Sequence, residues 1–462
     1  MQSELTRREL LRALSIGPLG NALAGPWSFE VKPLPTQTAE DPRHKKLARP
    51  LTCVVAGAGN RGNVYARYAL RHPDEMTVVG VAEPIEVRRA RFVKRYNIDS
   101  QFAFTTWEHI FDRGKFADVV VVTTPDHLHT GPALKAIERG YDVLLEKAIA
   151  QTWDECVRIL AATRRHQRIV GVCHVLRYSP YFRKVKQVVD SGILGRLVSV
   201  QHFEPIQHVH MAHSFVRGNW RNASESNPIL LSKSCHDLDL LRWIIGRPSK
   251  RISSFGALTW FLQEHAPEGS TPRCTDGCKI EPECPYSALR IYYRDRKHLG
   301  HLDLPEEGDI GPAILERLKD GPYGRCVYRC DNDVFDHQIV SIEFEDAITA
   351  SFSMDAFTDY GGRRTRLMGS TGHAHGDEAV LYVANFKTAE VTKWVTAEAA
   401  DLTSGHGGGD FGLVRDFLQA VAQRDSSLLS STLEASLESH LMAFRAEEAR
   451  KNGTVETVRL RL

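Results

Sequence analysis

No apolar run in the 462 residues reaches the roughly 20 residues that a bilayer-spanning helix requires. No long basic block is present either. Lys and Arg number 59 against 57 Asp and Glu, a formal net charge of +2, so the electrostatic footprint of a nucleic-acid binder is missing. Neither a membrane nor a nucleic acid is expected as a partner. No internal repeat is visible. What is present is 42% hydrophobic and 25% charged residues, enough for a large core, and a length that favours two domains. Nine cysteines are an odd number. Cys53, Cys156, Cys173 and Cys235 lie in apolar or helical contexts and read as small buried hydrophobes.

The first fifty residues read as separate from the fold. Thr6-Arg7-Arg8-Glu9-Leu10-Leu11-Arg12 resembles a twin-arginine export signal, with a modest apolar stretch from Ala13 and Ala22-Leu23-Ala24 suiting a signal peptidase. Pro18 and Asn21 weaken the apolar part, and a basic amphipathic helix leading into a disordered arm is the other reading. Location is therefore exported or cytoplasmic. Pro26 to Pro50 is expected to be a linker.

From Leu51 the pattern is informative. An apolar β-branched run ends in Gly57-Ala58-Gly59-Asn60-Arg61-Gly62, and a helix-like segment, Val64 to Leu70, follows at once. Gly57 permits a tight turn, Gly59 lets backbone N–H groups approach a pyrophosphate, and Gly62 lets helix and strand pack closely. The helix N-terminus then faces phosphate with its partial positive charge. A second apolar strand, Met76 to Ala82, ends in Glu83, which is 26 residues beyond Gly57; roughly 20 are expected before a ribose-binding carboxylate. Glu83 favours NAD over NADP, because a 2′-phosphate would meet like charge there. Arg88 and Arg89 weigh the other way.

Short apolar runs then alternate with amphipathic helices. Strands are expected at Leu51–Ala56, Met76–Ala82, Ala117–Thr123, Tyr141–Leu145 and Ile169–Cys173, and helices at Val64–Arg71, Ile85–Tyr96, Trp107–Asp112, Leu128–Arg139 and Trp153–His166. This is the pattern of right-handed crossovers in a doubly wound parallel sheet, with ligand beyond the strands' carboxyl ends. The residues following each strand are the site candidates. Thr124, Pro125 and His129 follow one strand, where Thr124 or Asp126 could also simply cap the next helix. Glu146 and Lys147 follow the next. A lysine ending a buried strand needs a partner or a task, so Lys147 is either catalytic or paired with Glu146.

Beyond Cys173 the texture changes. Arg177-Tyr178-Ser179-Pro180 leads into a helix, Tyr181 to Val189, and Leu197 to Phe203 reads as a strand. The run His208, His210, His213, Ser214, Arg217, Trp220, Arg221 is too polar for a core strand, and is a substrate loop with Trp220 as platform or a solvated loop. Leu230 to Trp243 is helical by period, which places His236 and Asp239 at i and i+3, where Asp239 can orient the imidazole, with Lys233 one turn before. Cys274 and Cys278, then Cys326 and Cys330 after a helix around Ala313–Lys319, have C-x3-C spacings that suit a structural zinc, with Cys284 as a competitor for one position; disulfides and free thiols are the alternatives. Ile339–Phe344 and Ile348–Met354 form a hairpin pattern, with further strands at Arg363–Met368, Val380–Ala384 and Val391–Val395. Helices at Phe411–Ala422 and Leu433–Lys451 and a strand at Val455–Leu460 close the chain. Consecutive strands without intervening helices imply a largely antiparallel second sheet. The divisions are 1–50, a signal-like segment and linker; 51–174, a Rossmann domain; and 175–462, an α+β domain, to which the resemblance described next assigns substrate binding and oligomerisation.

Taken together, Gly57–Gly62, Ala82-Glu83-Pro84, Thr124-Pro125-Asp126-His127-Leu128-His129, Glu146-Lys147-Ala148, Arg177-Tyr178-Ser179-Pro180 and His236-x-x-Asp239 resemble the Gfo/Idh/MocA oxidoreductase family. The resemblance implies a Rossmann domain followed by a C-terminal α/β domain with an open sheet that often joins subunits. It implies NAD or NADP as cofactor, a homo-oligomer, and a sugar, inositol or polyol as substrate. Gly57, Gly59, Asn60, Arg61, Gly62, Glu83, Thr124, Pro125, His129 and Glu146 would then hold the cofactor. Lys147 and His236 would be catalytic, with Lys233 beside them, and Arg177, His213, Arg217, Trp220 and Asp239 would meet substrate. Two departures stand out: the family's Glu-Lys-Pro is Glu146-Lys147-Ala148, and its Asp-x-Gly-x-His is Ser232-Lys233-Ser234-Cys235-His236. The acidic companion of the histidine is thus a serine, and Lys233 is the residue expected to replace it. Two rivals to a dehydrogenase are an NAD-retaining glycosidase or lyase working through a keto intermediate, and a cofactor-binding protein without turnover.

Overall fold

The computed structural model describes residues 31–33, 42–396 and 405–460. The export-signal motif and its cleavage site lie outside the described residues. Val31–Pro33 (β1) pairs in parallel with Glu390–Val395 (β15), residues 43–45 lie against the helix Gly409–Gln423, where Gln419 Nε2 donates to Lys45 O at 2.7 Å, and Arg49 pairs with Asp118. The described part of the expected linker is therefore docked onto the fold.

Six strands make the first sheet: Leu51–Ala56 (β2), Met76–Ala82 (β3), Ala103–Phe104 (β4), Val119–Val122 (β5), Asp142–Leu145 (β6) and Val170–Val172 (β7). All pair in parallel, in the order β4-β3-β2-β5-β6-β7. The order reverses between β2 and β5, which is where a doubly wound sheet opens its ligand crevice. β5 is four consecutive buried valines, as a strand covered on both faces should be. Helices α1 (Asn60–Arg71), α2 (Glu86–Tyr96), α3 (Thr130–Glu138) and α4 (Trp153–His166) cover it. α4 begins with a reciprocal capping box between Thr152 and Glu155.

The second sheet has ten strands: β1, Leu197–Pro205 (β8), Ser249–Ala257 (β9), His337–Phe344 (β10), Thr349–Asp355 (β11), Arg364–Gly369 (β12), Gly372–Gly376 (β13), Val380–Asn385 (β14), β15 and Glu456–Thr457 (β16). It is antiparallel except where β8 pairs with β11 and β1 with β15. In β10 buried and exposed residues alternate, so one face carries the core. The helices here are α5 (Pro180–Asp190), α6 (Cys235–Ile245), α7 (Gly311–Asp320), α8 (Gly409–Gln423) and α9 (Leu433–Asn452). α9 packs on β9 and α6 and also on α4 and β7, joining the two sheets; its buried residues run all round it, as expected of a helix enclosed by protein.

Sequence periodicity missed β1, β4, β9 and β13, and the helix expected through Leu230–Trp243 is broken. Ile229–Ser232 forms one turn, Lys233 and Ser234 break the ladder, and α6 starts at Cys235. The helix expected around Ala313–Lys319 is α7, and the segment around the cysteines has a small core of its own built on Ala288, Ile291, Tyr292, Ile314, Leu318 and Tyr323.

Candidate active site

The glycine turn is as tight as its sequence implies. Gly57 has φ +100°, and a Cβ there would lie 2.5 Å from Thr123 O; at Gly62 it would lie 2.1 Å from Gly57 O. Gly59 differs, because a Cβ there would meet nothing within 4 Å. Its face looks onto open space, and no side chain caps the first turn of α1. Uncapped amides facing a gap over glycine fit the pyrophosphate of a dinucleotide. Thr124 Oγ1, across the crevice, is buried and has no partner among the described residues. The residues present fit NAD(H).

Glu83 is buried at the end of β3, where it accepts from Ala58 N at 2.8 Å and from Ile85 N at 3.0 Å. It thus stands beside the glycine turn. Of the flanking arginines, Arg89 donates to Glu83 O at 2.6 Å and Arg88 reaches Asp303. Thr124 and Asp126 cap neither following helical turn. Instead Asp126 accepts from Trp220 Nε1 (3.3 Å), Ser226 Oγ (3.2 Å) and Asn227 Nδ2 (3.1 Å). His129 is buried between Ala148 O (2.6 Å) and Thr124 O (2.9 Å), so it ties the loops after β5 and β6 together and reaches no ligand with its ring nitrogens.

Glu146 is not the partner of the Lys147 side chain. It accepts from Arg61 Nε at 2.6 Å and from the Tyr65 hydroxyl at 2.9 Å, and Arg61 also bridges to Asp410 at 2.7 Å. Burial pushes the Glu146 carboxyl up, but Arg61 and Lys147 outweigh it and hold the group below the ordinary range. The Arg61 side chain is consumed by this bracing of the crevice wall. Among the described residues no carboxylate meets the Lys147 side chain: its Nζ donates to Ser232 O at 2.5 Å and stands 5.7 Å from the centre of the Trp220 ring.

The break at Lys233–Ser234 is what brings His236 to this place. The imidazole is buried, and its Nδ1 has no partner among the described residues. Burial, and next the Lys147 ammonium, hold its pKa well below 6.5. Its ring lies 5.8 Å from His174 and 5.9 Å from His406. A lysine with spare N–H donors facing a neutral imidazole can hydrogen-bond an alcohol oxygen and remove its proton.

Several expected site residues have other work. Asp239 does not orient His236; it is buried in a two-pronged pair with Arg177 (2.6 and 2.6 Å), whose guanidinium also reaches Ser430 O and Ala435 O. Lys233 does not serve His236 either, since its Nζ lies 3.0 Å from Glu204. Arg363 joins that group through Glu204 (3.0 Å) and Asp237 (2.5 Å), and His202 holds Asp237 at 3.0 Å. His213 is buried against Tyr292, His298 and Tyr323, and burial brings its pKa to about 2. Arg217 is buried, donating to Arg325 O and Tyr286 O at 2.7 Å each. The polar run 208–221 is thus a largely buried helical element, and only Trp220 of its expected substrate residues reaches Lys147. Sequence reading passed over Glu204, Arg363, His174 and Asp410. His210 was seen only as one of a polar run, yet Lys233 and Lys147 both depress its pKa further after burial does. Glu204 lies near the end of β8, and that position was the one available signal.

Cys274, Cys278, Cys284 and Cys326 line one enclosed cavity of about 20 Å³ with Arg217, room for about one water. All nine cysteines are free. Among the described residues no three His, Cys, Asp or Glu side chains are placed to hold a metal ion, so the zinc expected at Cys274, Cys278, Cys284, Cys326 and Cys330 has no ligand cage here.

Residues 51–174 match the oxidoreductase family with the NAD-binding Rossmann fold, and residues 182–269 match the GFO/IDH/MocA C-terminal domain. A Bacillus subtilis (strain 168) protein named as an oxidoreductase, YteT, is 26% identical over 317 residues, 65% of this chain and 71% of its own length. The scyllo-inositol 2-dehydrogenase (NAD+) of the same organism is 23% identical over 45% of this chain, and the match spans only 57% of that relative. Levoglucosan dehydrogenase, solved with NADH and levoglucosan, superposes with a TM-score of 0.64 at 17% identity, covering 89% of this chain and all of that one.

Proposed function

The chain belongs to the Gfo/Idh/MocA family of NAD-binding oxidoreductases, and on that basis we propose that it transfers hydride between NAD(H) and a carbinol carbon of a sugar, an inositol or a related polyol. The observation that carries this reading is the Lys147–His236 pair. Lys147 stands beyond the end of β6 and His236 in the first turn of α6, and after burial the Lys147 charge acts most strongly on the imidazole.

Nicotinamide, when bound, supplies the hydride acceptor. The protein does the rest. Lys147 donates to the reacting oxygen and stabilises its alkoxide character, while His236, neutral because of burial and Lys147, takes the hydroxyl proton. Trp220, fixed through Asp126, offers an apolar ring to one face of the substrate. Lys233, Glu204 and Arg363 provide donors and acceptors for the remaining hydroxyls. Incubation with sugars, inositols and aryl glycosides, with and without added NAD, tests this. Substrate-dependent growth of A340 supports it; aglycone release that needs no added NAD and leaves A340 flat sustains the glycosidase instead.

A pH test separates the two lysines. The kcat profile should fall on the acid side as His236 is protonated. Lys233→Met should leave that limb in place, because Glu204 already meets its charge. In Lys147→Met, NMR titration of the His236 ring should move to higher pH, a like charge having been removed. An acid limb that shifts in Lys233→Met would return Lys233 to the catalytic pair.

A further inference from the structure

We propose that Asp303 sets the preference for NAD(H) over NADP(H) by occupying Arg88, an inference that rests on Glu83 facing the adenosine ribose. An arginine near that ribose is what accommodates a 2′-phosphate. Arg88 and Arg89, five and six residues beyond Glu83, are the candidates, and Arg88 is near enough for the Glu83 carboxylate to stabilise its charge. Neither is available. Arg89 is folded back onto Glu83 O. Arg88 gives Nε and one terminal nitrogen to the two oxygens of Asp303, at 2.7 and 2.8 Å, the fork geometry a phosphate would otherwise take.

The hold comes from far along the chain and is multiple. Arg88, Arg91 and Arg95 lie at i, i+3 and i+7, on one face of α2. Arg91 donates to Leu304 O and Arg95 meets Glu306 at 3.5 Å, so residues 303–306 are laid along this face. Asp303 has φ +50°, a conformation that Asp and Asn tolerate better than most residues. Asparagine at this position therefore keeps the backbone and removes the charge.

The test is titration of the full chain with NADH and NADPH, comparing wild type, Asp303→Asn and Asp303→Asn/Arg88→Met. Asp303→Asn should tighten NADPH relative to NADH by roughly ten- to a hundredfold, as a released charge-assisted fork allows. The second substitution should cancel that gain. An Asp303→Asn protein that binds NADH with no gain for NADPH overturns the inference and leaves the cofactor site intact. Equal loss of both nucleotides makes Asp303 a structural tie and overturns it too. Wild type that binds neither nucleotide defeats the proposed function itself.

Discussion

A Lys147→Met enzyme is expected to lose about 10²–10³-fold in kcat, the usual worth of one donor placed where oxyanion charge develops. NADH affinity should move by less than about threefold, because no residue of the glycine turn bonds to Lys147. The competing account is structural: Lys147 donates to Ser232 O and so ties β6 to the broken helix around Lys233. The two accounts part on what is measured. A tie lost should lower thermal stability and leave turnover of the folded fraction intact, whereas an electrophile lost should lower kcat at unchanged stability. Methionine retains the apolar stem beside Trp220, which keeps packing loss small. Retention of most of kcat would remove Lys147 from the chemistry.

How far the sequence could carry this reading depends on the range of the interactions involved. The glycine turn, the crossovers and Glu83 were legible because local geometry dictates them: a strand, a tight turn and a helix start within a dozen residues. β4 was missed because two residues carry no period, and β13, Gly372-His373-Ala374-His375-Gly376, because glycine at both ends reads as a turn. The break at Lys233–Ser234 was invisible for the opposite reason, since apolar residues keep helical spacing straight through it.

At the site, the structure brings Lys147 near His236, as the sequence reading grouped them, but it gives other partners to Lys233 and Asp239, which sequence proximity had assigned to His236. In the fold Lys233 goes to Glu204, 29 positions earlier, and Asp239 to Arg177, 62 positions earlier. A buried ion seeks whichever counter-ion the tertiary structure supplies, and a one-dimensional pattern holds no record of that choice. Arg217 is the same case. Its run was read as a substrate loop or a solvated loop, but the guanidinium is buried and donates to Arg325 O and Tyr286 O, 108 and 69 positions later.

Acid is expected to unfold this protein steeply, for a reason located behind the active site. His174, His236 and His440 are buried, and burial is the largest cause holding each below 6.5, His440 to about 3. Above pH 6.5 these groups are neutral in both folded and unfolded chains and stability is flat with respect to them. Below it the unfolded chain binds protons that the folded chain refuses, so stability falls as pH falls from 6.5 toward the depressed folded values. Each histidine contributes up to about 1.4 kcal/mol per pH unit in that interval, roughly 4 kcal/mol per unit for the three. Against a total stability of about 5–15 kcal/mol, two pH units suffice to reach the transition. His440 offers a clean control. Its Nε2 accepts from Ile149 N at 3.0 Å, and its Nδ1 lies 3.1 Å from Ser436 O, which makes it a neutral Nδ1–H donor. Glutamine can repeat both contacts without titrating. Urea melts of His440→Gln between pH 7 and pH 5 should therefore lose less stability than wild type, by up to about 1.4 kcal/mol per pH unit, and equal slopes would mean that His440 is not among the groups driving the transition.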